Sequence, residues 1–188
     1  MESLWNTALW RQFGAAIDMF ENALLACPET LWNAPLWGNH ADPSQPIEED
    51  TFWSITLHTL FWLDLYLTGS MEGFEPLIPF TQDEYGPSGV RPEEPSTKEE
   101  LHAYLLRLRQ RCQTTLLSMS DEQAQRQIAF NWKWWEPMSF FELQIYTLRH
   151  VQEHAAQLSF FLGRHGISDE AVDWVARAKD AGMEGSMR

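Results

Sequence analysis

The chain has 188 residues, and its 27 acids against 13 lysines and arginines leave a net charge of -14 and a pI of about 4.7. That length fits one domain, residues 1–188, with a core large enough to stand without disulfide staples. An acidic surface repels phosphate backbones and anionic headgroups, so nucleic acid and membranes are not expected as partners.

The N-terminal MESLWNTALWRQF has an early acid and no cationic stretch before an apolar run, unlike a signal peptide. A first helix is predicted over residues 3–26, with Ser3 as N-cap and Pro28 as stop. Leu9, Phe13, Ala16, Ile17, Phe20 and Leu24 make its apolar stripe. Residues 28–50 form a proline-bearing connection. A second helix is predicted over 51–68, with Gly69 at the C′ position. It is very apolar but shorter than the ~20 residues a bilayer needs, and it carries His58 and Asp64.

The next connection, 69–96, holds five prolines and four glycines. At about 27 residues it can run the length of a helix of roughly 25 Å, so the helices it joins can be parallel. Phe74, Phe80 and Tyr85 within it are expected to pack over one end of the bundle. A third helix opens on the capping box Thr97-Lys-Glu-Glu100. Residues 120–136 follow and end in a tryptophan cluster, Trp132, Trp134 and Trp135, suited to core or dimer packing or to a ligand platform. A fourth helix opens on a second box, Ser139-Phe-Phe-Glu142, and runs to Gly163 or Gly166. A short extra C-terminal helix is predicted over 168–181. With no strong strand signal, the fold class is all-α, a four-helix bundle with a long crossover between helices two and three.

Three histidines carry the candidate chemistry. His150 and His154 are four apart and share a helix face. His58 lies on another largely apolar helix, so all three imidazoles are expected to point into the core. A buried polar ring without a partner costs about 1–3 kcal/mol. A shared divalent ion relieves three at once, and leaves open positions for water or substrate. The competing reading is three separate core histidines bonded to carbonyls or waters. Tyr146 and Gln157, one turn away on the same face, are candidates for the outer hydrogen bonds or the pocket wall, and Trp62 lies one turn from His58. His150-Val-Gln-Glu153-His154 also matches an inverted zinc-protease pattern, in which Glu153 would be the base. The simpler reading of Glu153 is a solvated acid four residues after Arg149. His40, His102 and His165 are expected at the surface. Cys27 and Cys112 fall in no metal or redox spacing, and a reduced, cytoplasmic protein is expected.

On His58 in the second helix and His150-x-x-x-His154-x-x-Gln157 in the fourth, the chain resembles the DinB/YfiT-like superfamily of metal-dependent bacterial proteins over about residues 5–165. Ala155 and Ala156 stand where that family usually has arginine and glycine before the glutamine. The resemblance implies an up-down-down-up bundle with His58, His150 and His154 as ligands to zinc, nickel or another divalent ion. It implies homodimers. It also implies a small-molecule substrate and, in some relatives, a low-molecular-weight thiol partner used by transferases or isomerases.

Overall fold

In the computed structural model, which describes residues 4–37, 51–75, 95–132, 135–168 and 174–179, the elements follow the helical periods of the sequence. In chain order they are α1 (Leu4–Ala26), α2 (Glu29–Trp32), α3 (Phe52–Thr68), α4 (Lys98–Ser118), α5 (Asp121–Gln125), β1 (Gln127–Ile128), β2 (Met138–Ser139) and α6 (Phe140–Arg164). The predicted Ser3 cap, His40, Phe80, Tyr85 and Trp134 lie outside the described residues.

Local chemistry sets the helix ends. Thr97 Oγ1 accepts from Glu100 N (3.2 Å) and Glu100 Oε2 accepts from Thr97 N (2.9 Å), the reciprocal box that starts α4. Ser139 Oγ accepts from Glu142 N (3.2 Å) at the start of α6. Gly69 ends α3 in the left-handed region (φ 66°) and donates its N–H to Leu65 O at 2.9 Å. A side chain there would be strained, and its Cβ would sit 2.9 Å from Arg126 Nη2.

Paired residues give the helix directions. Asp18 meets Arg109 and Asn6 meets the carbonyls of Leu117 and Met119, so α1 and α4 are antiparallel. Trp5 packs on Phe141 and Met19 contacts Gln152, so α1 and α6 are parallel. Tyr104 and Arg111 both reach Asp64, and Arg111 also bonds Thr68, one turn further on. Together with the Trp32 Nε1 bond to Ser96 O just before α4, this makes α3 and α4 parallel. Gln144 Nε2 donates to Tyr66 O and Phe52 packs on Phe161, so α3 and α6 are antiparallel. The order is up-down-down-up, with α1–α6–α3–α4 as successive neighbours around the bundle. Parallel α3 and α4 need the crossover that the long 69–96 connection predicts, and Phe74 at its start packs edge-on to Phe61. Phe13, Phe20, Phe52, Leu60, Leu63, Leu105, Leu116 and Leu158 fill the centre.

Three differences from the sequence reading stand out. The predicted loop 120–136 contains α5 and, with residues 138–139, makes a two-residue antiparallel ladder, Gln127 opposite Ser139 and Ile128 opposite Met138. A strand so short has no period of its own and forms because its ends are clamped. Phe140 N donates to Arg126 O at 2.8 Å, beside the ladder. Residues 174–179, inside the predicted C-terminal helix, are irregular. Their amides have partners outside the segment: Ala178 N donates to Arg11 O (2.9 Å) and Lys179 N to Asp18 Oδ2 (2.6 Å). Gly14 admits this strap, since a Cβ there would lie 2.5 Å from Ala178 Cβ. His102 is not a free surface residue; its ring bonds Glu21 at 2.7 Å between α1 and α4. Among the described residues no helix is long and apolar enough to cross a membrane.

Candidate metal centre

The antiparallel contact of α3 with α6 brings His58 against the face that carries His150 and His154. His58 Nε2 is 3.2 Å from His150 Nε2, which is 3.0 Å from His154 Nε2. Three imidazoles bound to one ion at ~2.0–2.1 Å hold their nitrogens about 2.8–3.4 Å apart, for bond angles between octahedral and tetrahedral. The two separations from His150 fall in that range, and all three donor atoms lie within 4.8 Å of one another.

Hydrogen bonding alone accounts for this convergence poorly. His154 Nδ1 lies 2.8 Å from Gln157 Oε1, an acceptor, so the ring proton sits on Nδ1 and Nε2 presents its lone pair. His150 Nε2 faces that lone pair from one side and His58 Nε2 from the other. One proton at most can sit on His150 Nε2, and with it there the buried Nδ1 becomes a bare acceptor. With the proton on Nδ1 instead, two lone pairs oppose each other. His150 Nδ1 has no hydrogen-bond partner among the described residues in either case. A cation shared by the three Nε2 atoms turns the opposed lone pairs into ligands, and the donor set of neutral imidazoles suits a divalent transition ion. Among the described residues no cysteine or carboxylate joins the group.

The electrostatics keep His150 and His154 neutral. Burial first, then the positive charge that His154 and His58 would carry, pushes His150 down to about 2. Burial lowers His154 as well, against the bond to Gln157 and the Glu153 charge, which both raise it. Because both folded values lie below the ordinary 6.5, the unfolded chain takes up protons that the folded chain refuses below that pH. Metal-free protein is therefore expected to lose stability as pH falls from about 6.5, by at most about 1.4 kcal/mol per pH unit for each of the two rings, with no such slope above pH 7.5. Urea titrations at pH 7.5, 6 and 5 check this; equal unfolding free energies at all three would contradict it.

One expectation needs correction. His58 is exposed, and His150 and His154 are half-buried, so the group opens at the bundle surface instead of lying sealed in the core. The helical stripe sets which residues share a face but not how deep that face lies against its neighbours.

The other expected positions are close by. Gln157 holds His154, Trp62 lies edge-on to His58 with ring centres 6.2 Å apart, and Tyr146 packs edge-on to Tyr66 at 5.7 Å. Tyr66, Phe130, Trp132 and Trp135 extend this aromatic surface. Tyr66 was within reach of the sequence, since His58, Trp62 and Tyr66 follow one another at four-residue spacing. Phe130 and the tryptophans come in through the loop, which no helical period places. Glu153 is exposed and acts on His154 only as a nearby charge. His165 is exposed and bonds Phe161 O through Nδ1. Both cysteines are buried, Cys27 with its thiol pushed up to about 12 and Cys112 raised further by burial, so neither is a ready nucleophile.

A family model described as the DinB superfamily matches residues 12–158, which include all three histidines and Gln157. No curated protein matches the chain. The chain belongs to the DinB superfamily.

Proposed function

We propose that this DinB-superfamily protein binds one divalent transition ion, zinc or nickel, through His58, His150 and His154, and is an enzyme that activates a small thiol for attack on an electrophilic small molecule. The convergence of three Nε2 atoms with lone pairs to share is the observation that carries the metal. Such an ion supplies Lewis acidity that holds a coordinated thiol as thiolate near neutral pH. His154 is oriented for this by Gln157, and His150 is kept unprotonated by burial. His58, on the exposed side, leaves an approach from solvent.

Thiol chemistry is favoured over hydrolysis by what surrounds the group. Water activation in the inverted zinc-protease manner needs a carboxylate base at the ion, and the one acid in that pattern, Glu153, points to solvent. A thiol, with an ordinary value near 8.5, needs no such base once coordinated.

The test has two stages. Untagged protein is analysed for metal, and metal-loaded protein is then given glutathione and 1-chloro-2,4-dinitrobenzene, in which a carbon–sulfur bond forms as chloride leaves. The expected rate scales with bound metal and is lost in His58→Ala, and Glu153→Ala stays within about twofold of the parent. A metal-bound protein inactive in this assay but able to hydrolyse an ester, with activity abolished in Glu153→Ala, would replace the thiol reading with the hydrolase one.

A further inference from the structure

The aromatic residues beside the histidines form a continuous surface that starts at His58. Trp62 lies edge-on to His58 and stacks on Tyr66 at 5.3 Å. Trp132 meets Trp62 edge-on at 5.5 Å and stacks on Phe130 at 4.3 Å. Trp135 stacks on Tyr66 at 5.9 Å. Tyr66 and Phe130 are buried and make the floor; Trp62, Trp132, Trp135 and Tyr146 are only half-buried above it.

This surface is held firmly. Trp135 Nε1 donates to Ile128 O at 3.3 Å, and Trp135 N donates to Trp132 O at 3.1 Å. The β1–β2 ladder closes both ends of the loop that bears the two tryptophans. The ladder thus has a task that the bundle itself does not need: it holds indole rings against Trp62 and Tyr66 of α3, next to His58. Half-buried rings already set edge-on and stacked can take one more ring in the same offset or edge-on manner, at centroid spacings of ~4.5–7 Å. Aromatic lining beside a few convergent polar groups is the usual composition of a small-molecule site.

We propose that Trp62, Trp132, Trp135 and Tyr146 form the subsite for a flat aromatic group of the substrate, so that the electrophile handled at the three histidines belongs to the aryl class. The proposal rests on the metal reading for the position of the reacting end, but the aromatic subsite itself does not require an ion.

Two probes with the same metal-binding head separate the two ideas. Acetohydroxamate and benzohydroxamate differ by methyl against phenyl. On zinc-loaded protein, benzohydroxamate is expected to bind about tenfold tighter or more by calorimetry. Trp132→Leu, which keeps apolar volume but removes the flat face, should bring the two within about threefold while leaving zinc and acetohydroxamate affinity unchanged. Trp135→Leu provides the same comparison if Trp132→Leu fails to fold. Equal affinity of the two probes for the parent protein overturns the subsite and leaves the metal intact. If the protein takes up no zinc, the metal reading fails separately, and titration of the metal-free protein decides the subsite. Indole N–H resonances of Trp62 and Trp132 shifted by benzohydroxamate and not by acetohydroxamate support it, and their indifference to both overturns it.

Discussion

Replacing His150 with alanine is expected to abolish stoichiometric metal binding while leaving the metal-free protein as stable as the parent, within about 1 kcal/mol. His150 is the middle of the three, with its Nε2 facing each of the others. Removing it leaves His58 and His154 on separate helices without the ring that sets their spacing. Four-ligand structural zinc sites deliver ~10–16 kcal/mol, so one ligand's share is about 2.5–4 kcal/mol, a loss of affinity on the order of a hundred- to a thousandfold. The effect on the fold runs the other way. The His150 ring is neutral and its buried Nδ1 has no partner, so truncation removes an unsatisfied polar atom along with some packing. Gln157→Ala should fall between, costing about 10–100-fold in affinity, because it frees the His154 ring without removing a donor. Metal content and denaturant midpoints, with and without added zinc, measure both sides. In the parent, zinc should raise the midpoint by linkage; in His150→Ala it should not. A His150→Ala protein that keeps a full equivalent of zinc would remove the three-histidine assignment.

The parts of the site that were legible in the sequence are those governed by one helix at a time. The four-residue spacing of His150 and His154, with Gln157 three residues beyond, is a property of α6 alone, as is the four-residue spacing of His58 and Trp62 on α3. The parallel run of α3 and α4 was also readable, because a connection long enough to span a helix allows a crossover. What stayed hidden depends on contacts between distant residues. The β1–β2 ladder has two residues on each side and no period to detect. The exposure of His58, between buried Leu57 and Thr59, depends on how α3 packs against its neighbours, which its largely apolar sequence does not encode. The C-terminal residues 174–179 carry helix-forming residues, yet their backbone groups find better partners in a helix some 160 positions earlier.

That strap predicts the second large effect. Asp18→Ala is expected to destabilise the protein by about 3 kcal/mol and to release residues 174–179 from α1. Asp18 is 1% exposed in the middle of α1. Its Oδ1 accepts from Arg109 Nε at 2.8 Å, and its Oδ2 accepts from Lys179 N at 2.6 Å. Arg109 in turn donates to Lys179 O at 2.6 Å and lies 5.3 Å from the Trp10 ring centre. One carboxylate thus holds α4 through a charge and the strap through an amide. Losing it leaves a largely buried guanidinium without its counter-charge, and breaking such a pair from one side costs ~3–5 kcal/mol. The lower end applies here because Arg109 keeps the Lys179 carbonyl and the indole face. Much of the cost is therefore the stranded cation, not the worth of the pair. Arg109→Met in the Asp18→Ala background should recover more than half of the loss, since Met fills the space over Trp10 without a charge to desolvate. Amide exchange gives the independent reading. The Ala178 and Lys179 amides should exchange faster in Asp18→Ala, and the double variant should restore global stability but not the Lys179 amide, whose acceptor is gone. If the double variant is no more stable than Asp18→Ala, the stranded charge is not the cause, and the strap's own packing of Ala178 on Gly14 carries the energy instead.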